Sequence, residues 1–149
     1  MIAAPTSLET LGKAPGELLD RLSVGDVMHK GVITCPARTP LAQVARIMSR
    51  SRIHAVVVWG DEEDDSVGLW GVVSDLDLVV AVARGDVPAG DAVGAANAPV
   101  VSVREDMRLR EAAELMARCR TAHLVVQDDR LRPVGVLSSL DLARALAGD

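Results

Sequence analysis

The chain has 149 residues, 49% of them hydrophobic, and 16 Lys and Arg against 21 Asp and Glu give a formal net charge of −5. That length suits one compact domain or two small units sharing a core. The acidic balance argues against a non-specific nucleic-acid or anionic-membrane binder. With neither Phe nor Tyr in the chain, the core has to be built from Val, Leu, Ala, Ile and Met. Cys35 and Cys119 are far apart and form no CxxC, so neither a zinc site nor a disulfide framework is suggested. No apolar run approaches a bilayer span. Met1–Ser7 lacks the basic region and apolar core of a signal peptide, so a cytoplasmic protein is expected.

Residues 1 to about 15 are rich in Ala, Pro, Gly and Thr and read as a loose arm, followed by a short amphipathic helix over Glu17–Leu22 that Ser23 and Gly25 break. A repeat begins near Val32. Leu41, Val44, Ala45 and Met48 fall on one helical face, with Thr39 and Pro40 as suitable starting residues. An offset of 68 brings the same face back as Leu109, Ala112, Ala113 and Met116. Each helix leads into a short β-rich run, His54–Trp59 and Ala122–Val126, which reads as a buried strand. A second strand follows in each half, Leu69–Val73 and Val134–Leu137. The intervening loop holds Asp61–Asp65 in the first half and is four residues shorter in the second, so the offset falls to 64. The acidic run lacks the spacing of a calcium loop and reads as a solvated hairpin. Trp59 and Trp70 flank it as packing residues. The halves close with helices over Leu76–Ala83 and Leu140–Ala147.

The second strand runs into the closing helix through one motif, present twice: Gly71-Val-Val-Ser-Asp-Leu-Asp77 and Gly135-Val-Leu-Ser-Ser-Leu-Asp141. Two readings fit Ser74-x-x-Asp77 and Ser138-x-x-Asp141. One is a capping box, in which Ser caps the helix and the acid reaches back to it. The other is a ligand site, in which an ionised Asp offers two coplanar acceptors to a ribose cis-diol and the helix N-terminal amides face a sugar or phosphate. The two compete, because an Asp turned back to cap is less free to bind a diol. The sequence therefore divides into an N-terminal arm and helix (1–22), a first repeat (23–84), a linker (85–98) and a second repeat (99–149). Each repeat reads as strand–helix–strand–strand–helix.

The order and duplication of these motifs resemble a tandem pair of cystathionine-β-synthase-type (CBS) domains, over nearly the whole chain from Ser23. The resemblance implies an α/β (α+β) fold of two β-α-β-β-α repeats packed sheet to sheet with pseudo-twofold symmetry. It also implies a stand-alone Bateman module, a regulatory sensor of AMP, ADP, ATP or S-adenosylmethionine, working as a homodimer. In such modules the residues matching Asp77 and Asp141 hold the ribose, beside Ser74 and Ser138. Thr34 and Ser102 match positions that line the nucleoside pocket. Ile33 and Val101 would supply apolar faces to the purine, and Ala55 and His123 the lining on the next strand.

Arg50, Arg52, Arg118 and Arg120 occupy equal places in the two halves. They are phosphate candidates on chemistry, or helix-end residues complementing the dipole. His54 and His123 are one position out of register, which predicts that they face opposite sides; neither has the partners of a metal site. Neither a nucleophile–base pair nor a phosphate loop is found, so no enzyme is expected. The competing expectation is a ligand-free interaction scaffold. It is motivated by the departures in the second half, where Ala92–Asn97 stands in place of the charged Val24–Met28 and Ser102 in place of Thr34.

Overall fold

The computed structural model describes residues 15–60, 68–87 and 89–148. Most of the N-terminal arm and the whole acidic stretch Asp61–Asp65 lie outside them. In chain order the elements are α1 (Pro15–Arg21), α2 (Val24–Val27), β1 (His29–Lys30), β2 (Thr34–Cys35), α3 (Leu41–Ser51), β3 (Ala55–Trp59), β4 (Leu69–Ser74), α4 (Asp75–Arg84), α5 (Ala92–Ala95), β5 (Ser102–Arg104), α6 (Leu109–Cys119), β6 (His123–Gln127), β7 (Pro133–Ser138) and α7 (Ser139–Ala147). Both halves carry the expected strand–helix–strand–strand–helix order, in an α+β fold with two sheets. One sheet has the order β2-β3-β4 and the other β1-β7-β6-β5. β2 runs parallel to β3, while β3 pairs antiparallel with β4 and β6 with β7.

The apolar periodicity fixes which faces go inward. α3 buries Leu41, Val44 and Met48, and α6 buries Leu109, Ala112 and Met116. Ala45, expected on the core face, is exposed, and Ile47 packs against the core in its stead. Val56–Val58 and Leu124–Val126 are buried without alternation, as strands covered on both faces are. Each such side chain contributes about 1.5–3 kcal/mol on burial. Thr39 does not cap α3; its hydroxyl donates to the Pro36 carbonyl at 2.8 Å, and Pro40 stands at the cap position. Trp59, expected as a packing residue, ends β3 at 39% exposure.

Two short helices have no counterpart in the sequence reading. α2 and α5 have four residues each, too few for a periodic signal, and contain Gly and Ala. Local caps hold them. The Ser23 N–H donates to Asp26 Oδ2 at 2.8 Å, and the Gly94 N–H donates to Asp91 Oδ1 at 3.0 Å.

These two segments explain how the chain divides. Lys30–Ser102 forms one compact unit, and the residues through His29 join Val103 onward in the other. Each unit is therefore one repeat plus the segment that precedes the other repeat. In the second-repeat unit, Val24 and Gly25 donate backbone hydrogen bonds to the carbonyls of Met107 and Glu105, and Leu109 donates to that of Leu22. In the first-repeat unit, Ala92 and Val93 donate to Thr39 and Ala37, and Leu41 donates to Gly90. Leu22 and Gly90 are related by the same offset of 68 that relates Leu41 and Leu109. The exchange is thus as symmetric as the repeat itself.

Cys35 lies in the first-repeat core at 3% exposure, whereas Cys119 is exposed. Burial pushes the Cys35 thiol up, against a smaller lowering by its hydrogen bond with Thr39. Since the thiolate is the reactive form, a maleimide is expected to label the folded protein once, at Cys119. Cys35 should react only on denaturation, as counted by intact mass.

Candidate functional site

Each repeat's motif forms a corner where a sheet strand turns into a helix. In the first-repeat unit, β4 delivers Ser74 to the start of α4, opposite Ala55 on β3. The Ser74 Oγ accepts the Asp77 N–H at 3.2 Å, and the Asp77 Oδ2 accepts the Ser74 N–H at 2.7 Å and its hydroxyl at 2.9 Å. The capping box is therefore formed. A further partner arrives on the exchanged segment: the Asn97 amide nitrogen donates to both oxygens of Asp77, at 3.1 and 3.2 Å. Thr34 lies in the same sheet, paired with Val57, and the Ile33 carbonyl accepts the Val57 N–H at 3.0 Å. Thr34, Ala55, Ser74 and Asp77 are thus held by one three-stranded sheet and the helix it feeds. Ile33 is 38% exposed, which leaves an apolar face open beside them.

The second-repeat unit repeats the corner. Ser138 ends β7 opposite His123, its Oγ accepts the Asp141 N–H at 3.2 Å, and its N–H donates to Asp141 Oδ2 at 2.8 Å. Asp141 is 7% exposed, and His29 Nδ1 stands 3.9 Å from its Oδ1. His29 and Asn97 are related by the offset of 68, so the exchanged segments bring equivalent positions to the two carboxylates. The His123 N–H donates to Thr121 Oγ1 at 3.3 Å. Ser102 opens β5 and is exposed, after a half-buried Val101. His54 is exposed, with Nδ1 3.3 Å from Asp75 Oδ2.

The motif glycines have a steric reason. A Cβ on Gly71 would fall well inside van der Waals contact with the Asn97 carbonyl oxygen, and one on Gly135 would lie 2.5 Å from that of His29. The exchanged segment runs so close to β4 and β7 that only glycine fits. It is this close approach that brings Asn97 and His29 within reach of the carboxylates.

The four arginines sit elsewhere. Arg50 and Arg118 are in the last turns of α3 and α6, and Arg52 and Arg120 close those helices at φ 52 and 50. The N–H groups of Arg52 and Arg120 donate to the carbonyls of Met48 and Met116. Left-handed backbone costs a residue with a Cβ about 1–2 kcal/mol. Arg52→Gly is therefore expected to raise stability by about 0.5–1 kcal/mol, read from chemical denaturation. A fall in ligand affinity in the same variant would give the guanidinium a phosphate role.

A cavity of about 630 Å³ opens from Asp77 between α4, α5 and the segment joining them, with Asn97 and Arg84 in its wall. Asn97, His29 and Arg84 escaped the sequence reading as site residues. The offset of 68 would have paired Asn97 with His29, but nothing in one half announces a partner supplied ahead of the other.

Comparison with known proteins bears on these corners. A family model described as CBS domain matches twice, over residues 24–84 and 90–148. The chain belongs to the CBS-domain family. The matched family ranges join each exchanged segment to the repeat that follows it, whereas the compact units join it to the other one. The CBS pair is 31% identical over 125 residues to protein MK0525 of Methanopyrus kandleri, covering 81% of this chain and 61% of that protein. Its fold matches the CBS domain pair of protein MJ0100, solved with 5′-methylthioadenosine and S-adenosyl-L-methionine, at TM-score 0.71 and 24% identity over 85% of this chain and 96% of that one. It also matches the CBS domain of a bacterial CNNM/CorC family Mg2+ transporter in complex with ATP, at TM-score 0.75 and 17% identity over 97% and 99%. No catalytic family is indicated by the match. Among the described residues, no helix is long and apolar enough to cross a membrane, and no group of three His, Cys, Asp or Glu could hold a metal ion.

Proposed function

We propose that this CBS pair is a cytoplasmic regulatory module, a Bateman module, that binds an adenosine-containing ligand at Asp77 and Asp141. The observation that carries the reading is the Asp141 corner. Its cap bond uses Oδ2, and Oδ1 faces the 3.9 Å gap to His29. One carboxylate oxygen serves the helix cap, and Oδ1, which carries no cap bond, is on this reading the acceptor for a ribose hydroxyl. The similar fold of proteins solved with S-adenosylmethionine and with ATP supports an adenosine ligand. Thr34, Ile33 and Ala55 in one half, and Ser102, Val101 and His123 in the other, flank the two corners as nucleoside-lining residues. Arg50, Arg52, Arg118 and Arg120 remain phosphate candidates that no contact yet ties to either corner.

The module works as a homodimer. α4 exposes Leu76, Val79 and Val82, and α7 exposes Leu140 and Leu146, apolar surface that a second copy would cover. Ligand occupancy then acts by its differential affinity for alternative dimer arrangements. A ligand-free scaffold is the second reading, favoured by the Asn97 amide that occupies both oxygens of Asp77.

A thermal-shift panel of AMP, ADP, ATP and S-adenosylmethionine separates the two. A ligand at 100 times its dissociation constant should add about 2.7 kcal/mol, and the shift should vanish in Asp77→Ala/Asp141→Ala. A folded wild type that no ligand stabilises supports the scaffold.

A further inference from the structure

We propose that Asn97 is an internal occupant of the first corner. Its side-chain amide stands where a ribose diol would, so ligand fills the Asp141 corner first and reaches Asp77 only by displacing Asn97. This rests on the nucleoside reading of the two corners and adds how they differ. An ionised carboxylate has about four lone-pair positions. At Asp77 they are all taken, by the Ser74 N–H and hydroxyl on Oδ2 and by the Asn97 amide on both oxygens. A cis-diol brings two hydroxyl donors to the same two oxygens and finds neither open.

The Asp141 corner is built alike but left open. The Ser138 N–H takes one position on Oδ2. His29, at the place equivalent to Asn97, has its Nδ1 3.9 Å from Oδ1, beyond hydrogen-bond reach. Among the described residues no fully buried side-chain oxygen lacks a hydrogen-bond partner, so Oδ1 still meets solvent. Asn97 is held where it is by its backbone: its N–H donates to the Val72 carbonyl at 2.9 Å, and its carbonyl accepts the Val72 N–H at 3.1 Å. The amide therefore reaches Asp77 with only its own side chain to order. Its release needs only a side-chain rotation, since Asn97 is exposed. The mask thus weakens binding without abolishing it. Apparent affinity falls by the fraction of time the site is open, about tenfold for an exposed hydrogen bond to a charged group.

Calorimetric titration of the full chain with S-adenosylmethionine and with ATP reads the difference. Asp77→Asn leaves only the Asp141 corner and Asp141→Asn only the Asp77 corner, and the first protein should bind about tenfold more tightly. Adding Asn97→Ala to Asp141→Asn should recover that factor of ten, a gain that loss of a merely structural contact would not give. The converse exchange, His29→Asn in the Asp77→Asn protein, puts an amide nitrogen where the ring Nδ1 stands and should weaken the Asp141 corner about tenfold. Thermal denaturation checks that each variant is folded, and the His29 exchange decides the matter if Asn97→Ala is not. Equal affinities of the two single-corner proteins, no gain on Asn97→Ala, or no loss on His29→Asn overturns the masking while the nucleoside corners stand. A folded wild type that binds neither probe overturns both.

Discussion

Gly71→Ala is expected to destabilise the protein by about 3 kcal/mol, at the upper end of what an added methyl costs in a packed interior. The new Cβ would overlap the Asn97 carbonyl oxygen, with the Asn97 carbonyl carbon at 3.0 Å behind it. Backbone cannot rotate aside as a side chain can. The edge pairing would have to give, and the Val72 and Asn97 hydrogen bonds, at 3.1 and 2.9 Å, would go with it. Gly135→Ala should cost less, because one of its two close neighbours is the flexible Met28 sulfur at 2.8 Å. Gly25→Ala, with its nearest atom at 3.3 Å, should cost least. Urea denaturation of the three variants gives the order; equal effects at Gly71 and Gly25 would contradict the close approach.

Deleting residues 1–29 is expected to unfold the distant second repeat while sparing the first. The deletion removes Val24, which is fully buried, and the backbone bonds to Met107, Glu105 and Leu22 described above. It removes α1, which lies against α6 and α7, with the Arg110–Asp20 ion pair and the 3.1 Å bond from Arg108 to the Arg21 carbonyl. The first-repeat unit loses nothing on this account, since its own exchanged segment, through Asn97, remains. Hydrogen exchange should show β6 and β7 losing protection, with β3 and β4 keeping theirs, the behaviour of separable cooperative units. Loss of protection confined to β3 and β4 would mean that the segment serves the repeat it precedes.

The sequence carried what is periodic and local. Leu41, Val44 and Met48 announced a helix by their spacing, the run His54–Trp59 announced a buried strand, and Ser74-x-x-Asp77 offered a cap as one of its two readings, a cap that forms. Ala45 was misassigned because a small residue at the stripe's edge carries little hydrophobic signal. What stayed hidden is non-local. α5 is four residues held by Asp91 and by hydrogen bonds to Ala37 and Thr39 in the loop that leads into α3, which no window of its own composition reveals. The pairing of Asn97 with Asp77 spans 20 residues, and the approach of His29 to Asp141 spans most of the chain. The duplicated Gly was visible as a motif. Its reason, a carbonyl arriving from the other half's leading segment, was not.

Equilibrium binding of radiolabelled S-adenosylmethionine and ATP to the wild type and to Asp77→Asn/Asp141→Asn tests the central claim most directly. Asn keeps an acceptor for the Ser74 and Ser138 N–H groups, so the capping box is retained, but it cannot offer a diol two anionic oxygens. Saturable binding to the wild type that disappears in the folded double variant is the predicted result. Undiminished binding in that variant would contradict it, and so would a folded wild type that takes up neither ligand.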